Sequence, residues 1–470
     1  MISIDILPDE VILGIFYSYL LGYLSIEEKQ NAWHLLVHVC RRWRTIVFGS
    51  PRHLNLQLIC TARTQARKML DVWPALPIYI LCMDPAENVD NIIAVLERTD
   101  RVYAISMDIR SSERSNWEIL LAAMQQPFPG LRSLGLYHDK TALVVPDSIL
   151  GGSAPRLLSV YLYSILFLGL QKLLLSATHL ITLSLWRIPH SGYLSPDALV
   201  ITLSTLTSLE TLVFGFESPR SCPDRESKRP PPSTRTILPV LKDFRFQGVS
   251  EYLEDFVACI DAPQLNHLDI IFFHDVVFDT PQLIHLISRT PKLIAPKKAH
   301  IFFQDRAARL IFSSQKSPAS YAKLRVTISC RGLDWQVSSL EQICTSCSPF
   351  LSTLEDLYIF KCTSGELNSK GKVENRLWPE LLHSFTAVKN LYLSRDFAQY
   401  IAPAFQELLE GRTAEVLTAL HNIFLEGFDS SRPVEEGIGQ FVSARQVAGH
   451  PITISRWTGS AREKFLQGVR

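Results

Sequence analysis

A spacing of apolar residues, L-x-x-L-x-L with close variants, recurs along the chain and limits its fold more than any other feature. The copies are Leu131/Leu134/Leu136, Leu157/Val160/Leu162, Leu180/Leu183/Leu185, Leu209/Leu212/Phe214, Leu241/Phe244/Phe246, Leu265/Leu268/Ile270, Leu354/Leu357/Ile359, Val388/Leu391/Leu393 and Leu420/Ile423/Leu425. Neighbouring copies mostly lie roughly 23 to 34 residues apart, which is typical of a repeat array. The alternating apolar residues of each copy predict a short strand, which one unit alone cannot bury. Successive units should therefore stack and share a continuous core.

Helical segments separate the predicted strands, and the chain also contains less regular units. We expect helices at residues 196–206, 252–260 and 378–385. Two weaker units precede Leu131, with strands at 78–81 and 102–109 followed by helices at 89–97 and 116–124. Between residues 293 and 324 the pattern is poor, and the expected strands are 299–303 and 324–328.

The array resembles degenerate leucine-rich repeats, because the Asn or Cys usually found after the third apolar position is mostly absent. This resemblance implies an α/β solenoid with parallel strands on the concave side and helices on the convex side. An unrelated α/β fold with L-x-x-L-x-L spacing by chance is the alternative.

Two polar segments interrupt the array. Residues 217–236 contain almost no apolar residue and include three successive prolines, so we expect a disordered loop. Residues 363–375 form a similar, shorter insertion. These loops are either tolerated insertions or regulatory, partner-binding segments.

The N-terminal fifty residues read as helices. Leu7-Pro8-Asp9-Glu10 opens the first helix, with Pro8 suited to the first helical position and two acidic residues at the positive end of the dipole. Apolar residues then recur at helical spacing, from Val11 to Tyr19. A second helix is expected at residues 32–48, and its apolar residues lie on two faces. A short helix of this kind needs two surfaces against which to pack, of which one belongs to its own domain and the other to a partner.

The pattern L-P-x-E followed by V-C-x-x-W-R resembles the F-box over about residues 6–51. The resemblance implies a short trihelical module that docks on a Skp-type adaptor of cullin–RING ubiquitin ligases. The adaptor-binding residues that it implies are Leu7, Pro8, Val11, Ile15, Phe16, Val39, Cys40 and Trp43. Residues 21–31 are longer and more polar than is usual in the family, which leaves the middle helix open. An ordinary helical hairpin that caps a larger domain is the alternative.

Further segments resemble the large F-box–repeat families of mushroom-forming fungi. These segments are residues 33–44, 48–56, 68–77, 435–441 and 455–457. The resemblance supports the same architecture, an F-box at 1–51, a linker with atypical capping repeats at 52–130, and a leucine-rich-repeat-like solenoid at 131–470.

Composition excludes several classes of partner. The net charge of +1 gives no long-range field for nucleic acid or an anionic membrane. The apolar run at 157–175 is interrupted by Lys172, Gln171 and serines, so we read it as part of the array and expect no membrane partner. Nine cysteines without a pairing framework, and an N-terminus without a basic signal region, indicate an intracellular protein, cytoplasmic or nuclear.

Catalytic and cofactor motifs are missing from the sequence. It lacks the nucleotide-binding glycine motifs, H-E-x-x-H and G-x-S-x-G. Cys344-x-x-Cys347 has no second ligand pair for zinc, so we predict two buried repeat cysteines. We therefore expect no metal, no cofactor and no catalytic residue. An enzyme hidden in the solenoid would need a catalytic constellation on its concave face.

Outward strand positions supply candidate substrate-binding residues. Period-2 alternation directs the residues beside the second and third apolar positions away from the core. The candidates are Tyr137, Tyr161, Tyr163, Trp186, Arg245, Tyr358, Phe360 and Tyr392, with Phe424 at the end of the series. Tyr and Trp dominate interface hot spots, although aromatic residues also simply suit strands. The sequence thus predicts a non-catalytic, substrate-recruiting ligase subunit that binds a protein through its solenoid. The alternative is an interaction scaffold whose F-box no longer joins a ligase.

Overall fold

The chain forms two compact units, residues 1–192 and 193–470, each built around a sheet of mostly parallel strands. The computed structural model describes residues 6–22, 26–83, 89–108, 114–138, 143–221, 234–273, 278–293, 296–313, 323–361, 377–408, 416–427 and 433–457. The unit boundary falls inside the array predicted for 131–470. The boundaries predicted at 51 and 130 both lie within the first unit.

The first unit begins with three helices and continues as alternating strands and helices. Its elements are α1 (Asp9–Leu21), α2 (Ile26–Val39), α3 (Arg41–Gly49), β1 (Leu58–Cys60), α4 (Ala66–Val72), β2 (Ile78–Cys82), α5 (Val89–Leu96), β3 (Val102–Asp108), α6 (Arg114–Ala123), β4 (Ser133–Tyr137), β5 (Leu143–Val145), β6 (Ser159–Tyr163), β7 (Ile165–Phe167), α7 (Leu170–Ser176) and β8 (Thr182–Ile188). The sheet has the order β1-β2-β3-β4-β6-β8 and is parallel throughout. Strands β5 and β7 form a separate parallel pair.

The second unit repeats this alternation with a longer sheet. Its elements are α8 (Pro196–Leu203), β9 (Thr211–Phe216), β10 (Thr236–Ile237), β11 (Asp243–Gly248), α9 (Ser250–Ala258), β12 (Ile260–Asp261), β13 (His267–Phe273), α10 (Pro281–Arg289), β14 (Lys298–Gln304), β15 (Ala307–Ser313), β16 (Leu324–Ser329), α11 (Leu333–Ser346), α12 (Ser348–Leu351), β17 (Asp356–Lys361), α13 (Leu377–His383), β18 (Asn390–Leu393), α14 (Arg395–Leu408), β19 (Asn422–Glu426), α15 (Pro433–Val447) and β20 (Thr453–Trp457). The sheet order is β9-β11-β13-β16-β15-β14-β17-β18-β19-β20.

The predicted strand–helix repeat with parallel strands is confirmed, and each unit is consistent with a leucine-rich-repeat-like array. In every L-x-x-L-x-L copy the second and third apolar residues lie in a strand, and all three side chains are buried. The copies are also in register, since Leu134 pairs with Val160 and Val160 with Leu183. The helices predicted at 196–206, 252–260 and 378–385 are α8, α9 and α13.

The irregular region after residue 293 contains an inserted antiparallel strand. Strands β14 and β16 contain the segments predicted at 299–303 and 324–328, but β15 between them was not predicted. It pairs antiparallel with both neighbours. Its residues Leu310, Ile311 and Phe312 are all buried, so both faces of the strand are covered. A strand covered on both faces has no period-2 pattern, which is why the spacing failed to show it.

The predicted single helix at 32–48 is wrong, because the chain breaks at Cys40. Cys40 is extended, with φ −155° and ψ 172°, and its sulfur accepts a hydrogen bond from the backbone N–H of Trp43 at 3.4 Å. Helix α2 ends before this residue and α3 begins after it. The middle helix left open by the sequence is α2, which begins at Ile26. Pro8 lies one residue before α1 and not inside it.

Several predictions concern segments that are described in part or not at all. Residues 222–233 of the predicted loop 217–236, and all of 363–375, lie outside the described residues. The apolar run at 157–175 forms β6, β7 and most of α7. No helix within the described ranges has the length and hydropathy needed to cross a membrane.

A buried carboxyl group joins two helices of the second unit. Glu254 on α9 is 7% exposed, and its oxygens accept the backbone N–H groups of Gln282 and Leu283 at 2.7 and 2.9 Å. It therefore occupies the positive end of α10, where N–H groups lack partners within their own helix. Burial raises the pKa of Glu254 from 4.5 to about 7, with Asp255 and Asp279 adding to the shift and the two hydrogen bonds opposing it.

This raised pKa predicts that stability falls as pH rises from about 4.5 to about 7. Below this window Glu254 is protonated in both states, whereas within it the unfolded chain ionises first and unfolding is favoured. One pKa unit corresponds to about 1.4 kcal/mol, so the loss at this site is about 3 kcal/mol. Urea unfolding at pH 4.5 to 8 should show a smaller fall for Glu254→Gln. Exposed Glu251 on the same helix is the control, and equal profiles for Glu254→Gln and the unmodified chain would contradict this assignment.

Candidate functional site

The three N-terminal helices, α1 to α3, pack around a small core. Some of the residues predicted to bind the adaptor contribute to this core. Phe16 on α1 is 1% exposed and packs edge-to-face against Trp43 on α3, with ring centroids 4.7 Å apart. Ile12, Ile46 and Val47 are also buried. The prediction that Phe16 contacts the adaptor is wrong. Phe16 is a core residue, because its ring fills the space between two helices. Trp43 is half-buried.

Other predicted residues of this set lie on the surface of the same helices. Val11 and Ile15 on α1 are 46% and 44% exposed, and Val39 at the end of α2 is 60% exposed. Pro8 is exposed, whereas Leu7 and Cys40 are half-buried. Sequence reasoning missed Leu35, which is 64% exposed and lies one turn before Val39. Residues four apart share one face of a helix, so α1 and α2 each present an apolar pair to solvent.

The opposite side of α2 is packed within the first unit. Trp33 is 2% exposed and meets the ring of Trp73, which follows α4, at 5.4 Å. His34 stacks on the same ring at 4.7 Å with an interplanar angle of 11°. Burial lowers the pKa of His34, with a smaller contribution from His38, and so keeps the stacked ring neutral. Helix α2 therefore has one packed side and one exposed apolar side, which bears Leu35 and Val39 and not the predicted face of Val39, Trp43 and Ile46.

Three of the four predicted substrate-binding residues of the first unit lie on one row of its sheet. Tyr137, Tyr163 and Trp186 pair in register on β4, β6 and β8, and Tyr161 lies in the neighbouring row. All four are half-buried. The guanidinium of Arg187 lies over the ring of Tyr163, 5.6 Å from its centroid. Burial raises the pKa of the Tyr137 phenol, so it remains a neutral hydrogen-bonding group.

In the second unit, four rings stack across neighbouring parallel strands. They lie on the open face, defined here as the sheet face opposite the buried row of Leu357, Leu391 and Ile423. This ring ladder comprises His300, Tyr358, Tyr392 and Phe424. Successive centroids are 4.5, 4.1 and 4.5 Å apart, with planes within 15° of parallel. The spacing matches the distance of about 4.8 Å between strands, so register alone stacks the rings.

A polar ladder runs beside the ring ladder. Asn390 donates to Asp356 at 2.7 Å, Asn422 donates to Asn390 at 2.8 Å, and Thr453 donates to Asn422. At the other end Lys298 lies 3.6 Å from Asp356. Sequence reasoning missed this ladder, although an Asp or Asn precedes the second apolar residue in three consecutive copies.

One predicted substrate-binding residue of this face is covered by the chain itself. Phe360 is 1% exposed, because Trp457 from β20 stacks against it at 5.6 Å and Phe302 packs on it at 5.0 Å. Phe360 is therefore corrected from a substrate contact to a packing residue. Tyr358 and Tyr392 remain half-buried beside this cluster. Burial raises the pKa of both phenols.

The remaining predicted contact, Arg245, lies in a charged part of the open face. It is exposed on β11 and pairs in register with Asp269 on β13. Asp269 in turn lies 3.3 Å from Arg325 on β16. His267 is 3.6 Å from Asp243, and burial lowers its pKa although Asp269 and Asp243 oppose that effect.

The C-x-x-C cysteines lie in the core of the second unit. Cys344 and Cys347 are both buried, as predicted. Burial raises the pKa of Cys347 to about 12 and raises that of Cys344 as well, so both remain neutral thiols. Within the described ranges, no three His, Cys, Asp or Glu side chains are grouped so that they could hold a metal ion.

No protein-family model matches the chain, and no curated protein matches it. Among solved structures, it is similar to the leucine-rich repeat-containing protein LegL7 from Legionella pneumophila, with 12% identity and a TM-score of 0.26. That match covers 79% of this chain and 97% of the other. So low an identity and TM-score carry no argument about function.

The cover over Phe360 gives a stability prediction. Removing the indole in Trp457→Ala should lower the free energy of unfolding by about 3 kcal/mol, because large aromatic truncations leave a cavity. Trp335→Ala is the matched control. Trp335 is 55% exposed, and we expect a change of about 0.5 kcal/mol or less. Urea unfolding followed by circular dichroism measures both, and equal midpoints would show that Trp457 does not hold the cluster.

Proposed function

We propose that this protein is a non-catalytic, substrate-recruiting subunit of a cullin–RING ubiquitin ligase. Helices α1 to α3 dock on a Skp-type adaptor, which links the chain to the cullin, and strand faces of the repeat units bind a protein substrate. The proposal places the protein inside the cell and assigns it no nucleic-acid or membrane partner. Its contribution to ubiquitin transfer is proximity, because holding two reactants together lowers the entropic barrier to their reaction.

The observation that carries the proposal is the pair of exposed apolar stripes on a helical module with a closed core. Val11 with Ile15, and Leu35 with Val39, are each 44% to 64% exposed. Large apolar side chains grouped on a surface mark interaction sites. These stripes stand in the segment that resembles the F-box, where an adaptor is the expected partner.

A second candidate function is an interaction scaffold that no longer joins a ligase. The observation that favours it is the contact of Trp33 and His34 with Trp73. Through this contact the helices cover part of the first unit, and that structural role would keep them in place without any adaptor. Adaptor binding separates the two candidates.

Charge introduced into the α1 stripe tests the adaptor site. The double variant Val11→Asp/Ile15→Asp should weaken binding to a purified Skp-type adaptor at least about 30-fold, because losing a hot spot costs 2 kcal/mol or more. Surface plasmon resonance measures the affinity. These positions are preferable to Trp43, whose ring packs against Phe16 and supports the module itself.

Ile201→Asp supplies the control, since Ile201 is 66% exposed on α8 in the other unit. It should bind the adaptor like the unmodified chain, and circular dichroism should show all three proteins folded. An unmodified chain that does not bind the adaptor would leave only the scaffold function. Full binding by the double variant would rule out the α1 stripe as the docking site.

A further inference from the structure

One row of the open face changes its chemistry along its length. Paired residues on successive strands, from β11 to β19, are Arg245, Asp269, Arg325, Ile311, His300, Tyr358, Tyr392 and Phe424. The row thus begins with charged side chains and ends with the ring ladder. Ile311 is fully buried and His300 is 7% exposed, so a ligand that lies across the strands can contact this row only at its charged end and at its ring end.

The charged end contains a cation that is available to a partner. Asp269 is only 8% exposed, and one of its carboxylate oxygens lies 3.3 Å from Arg325, which is its ion-pair partner. His267 is near Asp243, and its lowered pKa keeps it uncharged. Arg245 is exposed, and among the described residues its guanidinium makes no ion pair or hydrogen bond. An exposed guanidinium of this kind recognises a carboxylate through parallel hydrogen bonds.

The ring end is partly exposed: Tyr358, Tyr392 and Phe424 are half-buried, and Trp457 packs edge-to-face against Tyr358 and Tyr392, with ring centroids 6.2 and 5.8 Å apart. Because Tyr358, Tyr392 and Phe424 stack face to face, they cover one another's faces. Aromatic edges carry partial positive charge and attract the negative face of another ring, which gives an edge-to-face contact. The part of the ladder that Trp457 leaves exposed is therefore complementary to an aromatic side chain of a partner.

We propose that the open face binds an extended protein segment that carries one acidic and one aromatic side chain. The acid pairs with Arg245, and the aromatic ring packs on the edges of Tyr358, Tyr392 and Phe424. Five strand steps separate β11 from β17, about 24 Å at about 4.8 Å each. An extended segment rises about 3.3 Å per residue, so the two side chains lie about seven residues apart. This inference deepens the substrate-binding part of the proposed function and does not depend on adaptor docking.

Selection of random dodecapeptides displayed on phage, against the full chain, tests this specificity. Selected peptides should share an acidic residue about seven positions from an aromatic one. Fluorescence polarisation with synthetic copies should show that Arg245→Glu weakens binding at least tenfold. Reselection on Arg245→Glu should replace the acid with Lys or Arg, whereas Arg245→Gln should remove the preference without reversing it. Tyr392→Leu, which keeps a bulky apolar side chain, should reduce the aromatic preference.

Arg156→Glu is the charge-matched control, because Arg156 is exposed in the other unit. It should select the same peptides as the unmodified chain. Peptides without the acid or the aromatic residue, affinities unchanged by Arg245→Glu and Tyr392→Leu, or failure to enrich any peptide would each overturn the inference. Adaptor binding by the same variants should stay normal. If the unmodified chain itself does not bind the adaptor, the proposed ligase function is refuted, but the peptide specificity is still tested by the selection.

Discussion

Strand register is the constraint on which the rest of this structure depends. Leu357, Leu391 and Ile423 pair as neighbours on successive parallel strands, and their burial fixes that pairing. Since side chains alternate between faces, the residues beside them are placed in register on the opposite face. The ring ladder and the polar ladder follow directly. A slip of one residue would move Tyr392 into the core and Leu391 to the surface, which the apolar core forbids.

The break at Cys40 has a comparable effect on the helices. A continuous helix from Ala32 to Phe48 would have to bury two apolar faces along one axis. The extended backbone at Cys40 lets α3 turn away, so that Trp43 reaches Phe16 while Trp33 remains against Trp73. The side of α2 that bears Leu35 and Val39 is left without either contact. The same packing that buries Trp33 and Phe16 thus leaves Leu35 and Val39 exposed as an apolar stripe.

Sequence reasoning succeeded where local periodicity decides the structure and failed where distant segments decide it. The L-x-x-L-x-L copies were enough to predict their strands, because burial on a single face imposes a period of two. Strand β15 lacks that pattern, since Leu310, Ile311 and Phe312 are covered on both faces. No Gly or Pro marks the helix break at Cys40 in the sequence. Its side chain instead satisfies the first turn of α3 through a sulfur acceptor, an uncommon way to start a helix.

Contacts with distant segments also distinguish residues of the candidate surface that local periodicity cannot tell apart. Phe360 and Tyr392 both stand at outward positions, and period-2 alternation assigns them correctly to one face. Whether each is available to a partner depends on Trp457, which belongs to the last described strand and covers Phe360. An aromatic side chain at an outward position can therefore bind a partner only if no other part of the chain covers it. Tyr392 and Phe424 remain partly exposed to solvent, and the charged side chain of Arg245 is exposed. In this part of the sheet a partner can contact Arg245 and the exposed parts of Tyr358, Tyr392 and Phe424, whereas Phe360 is already covered.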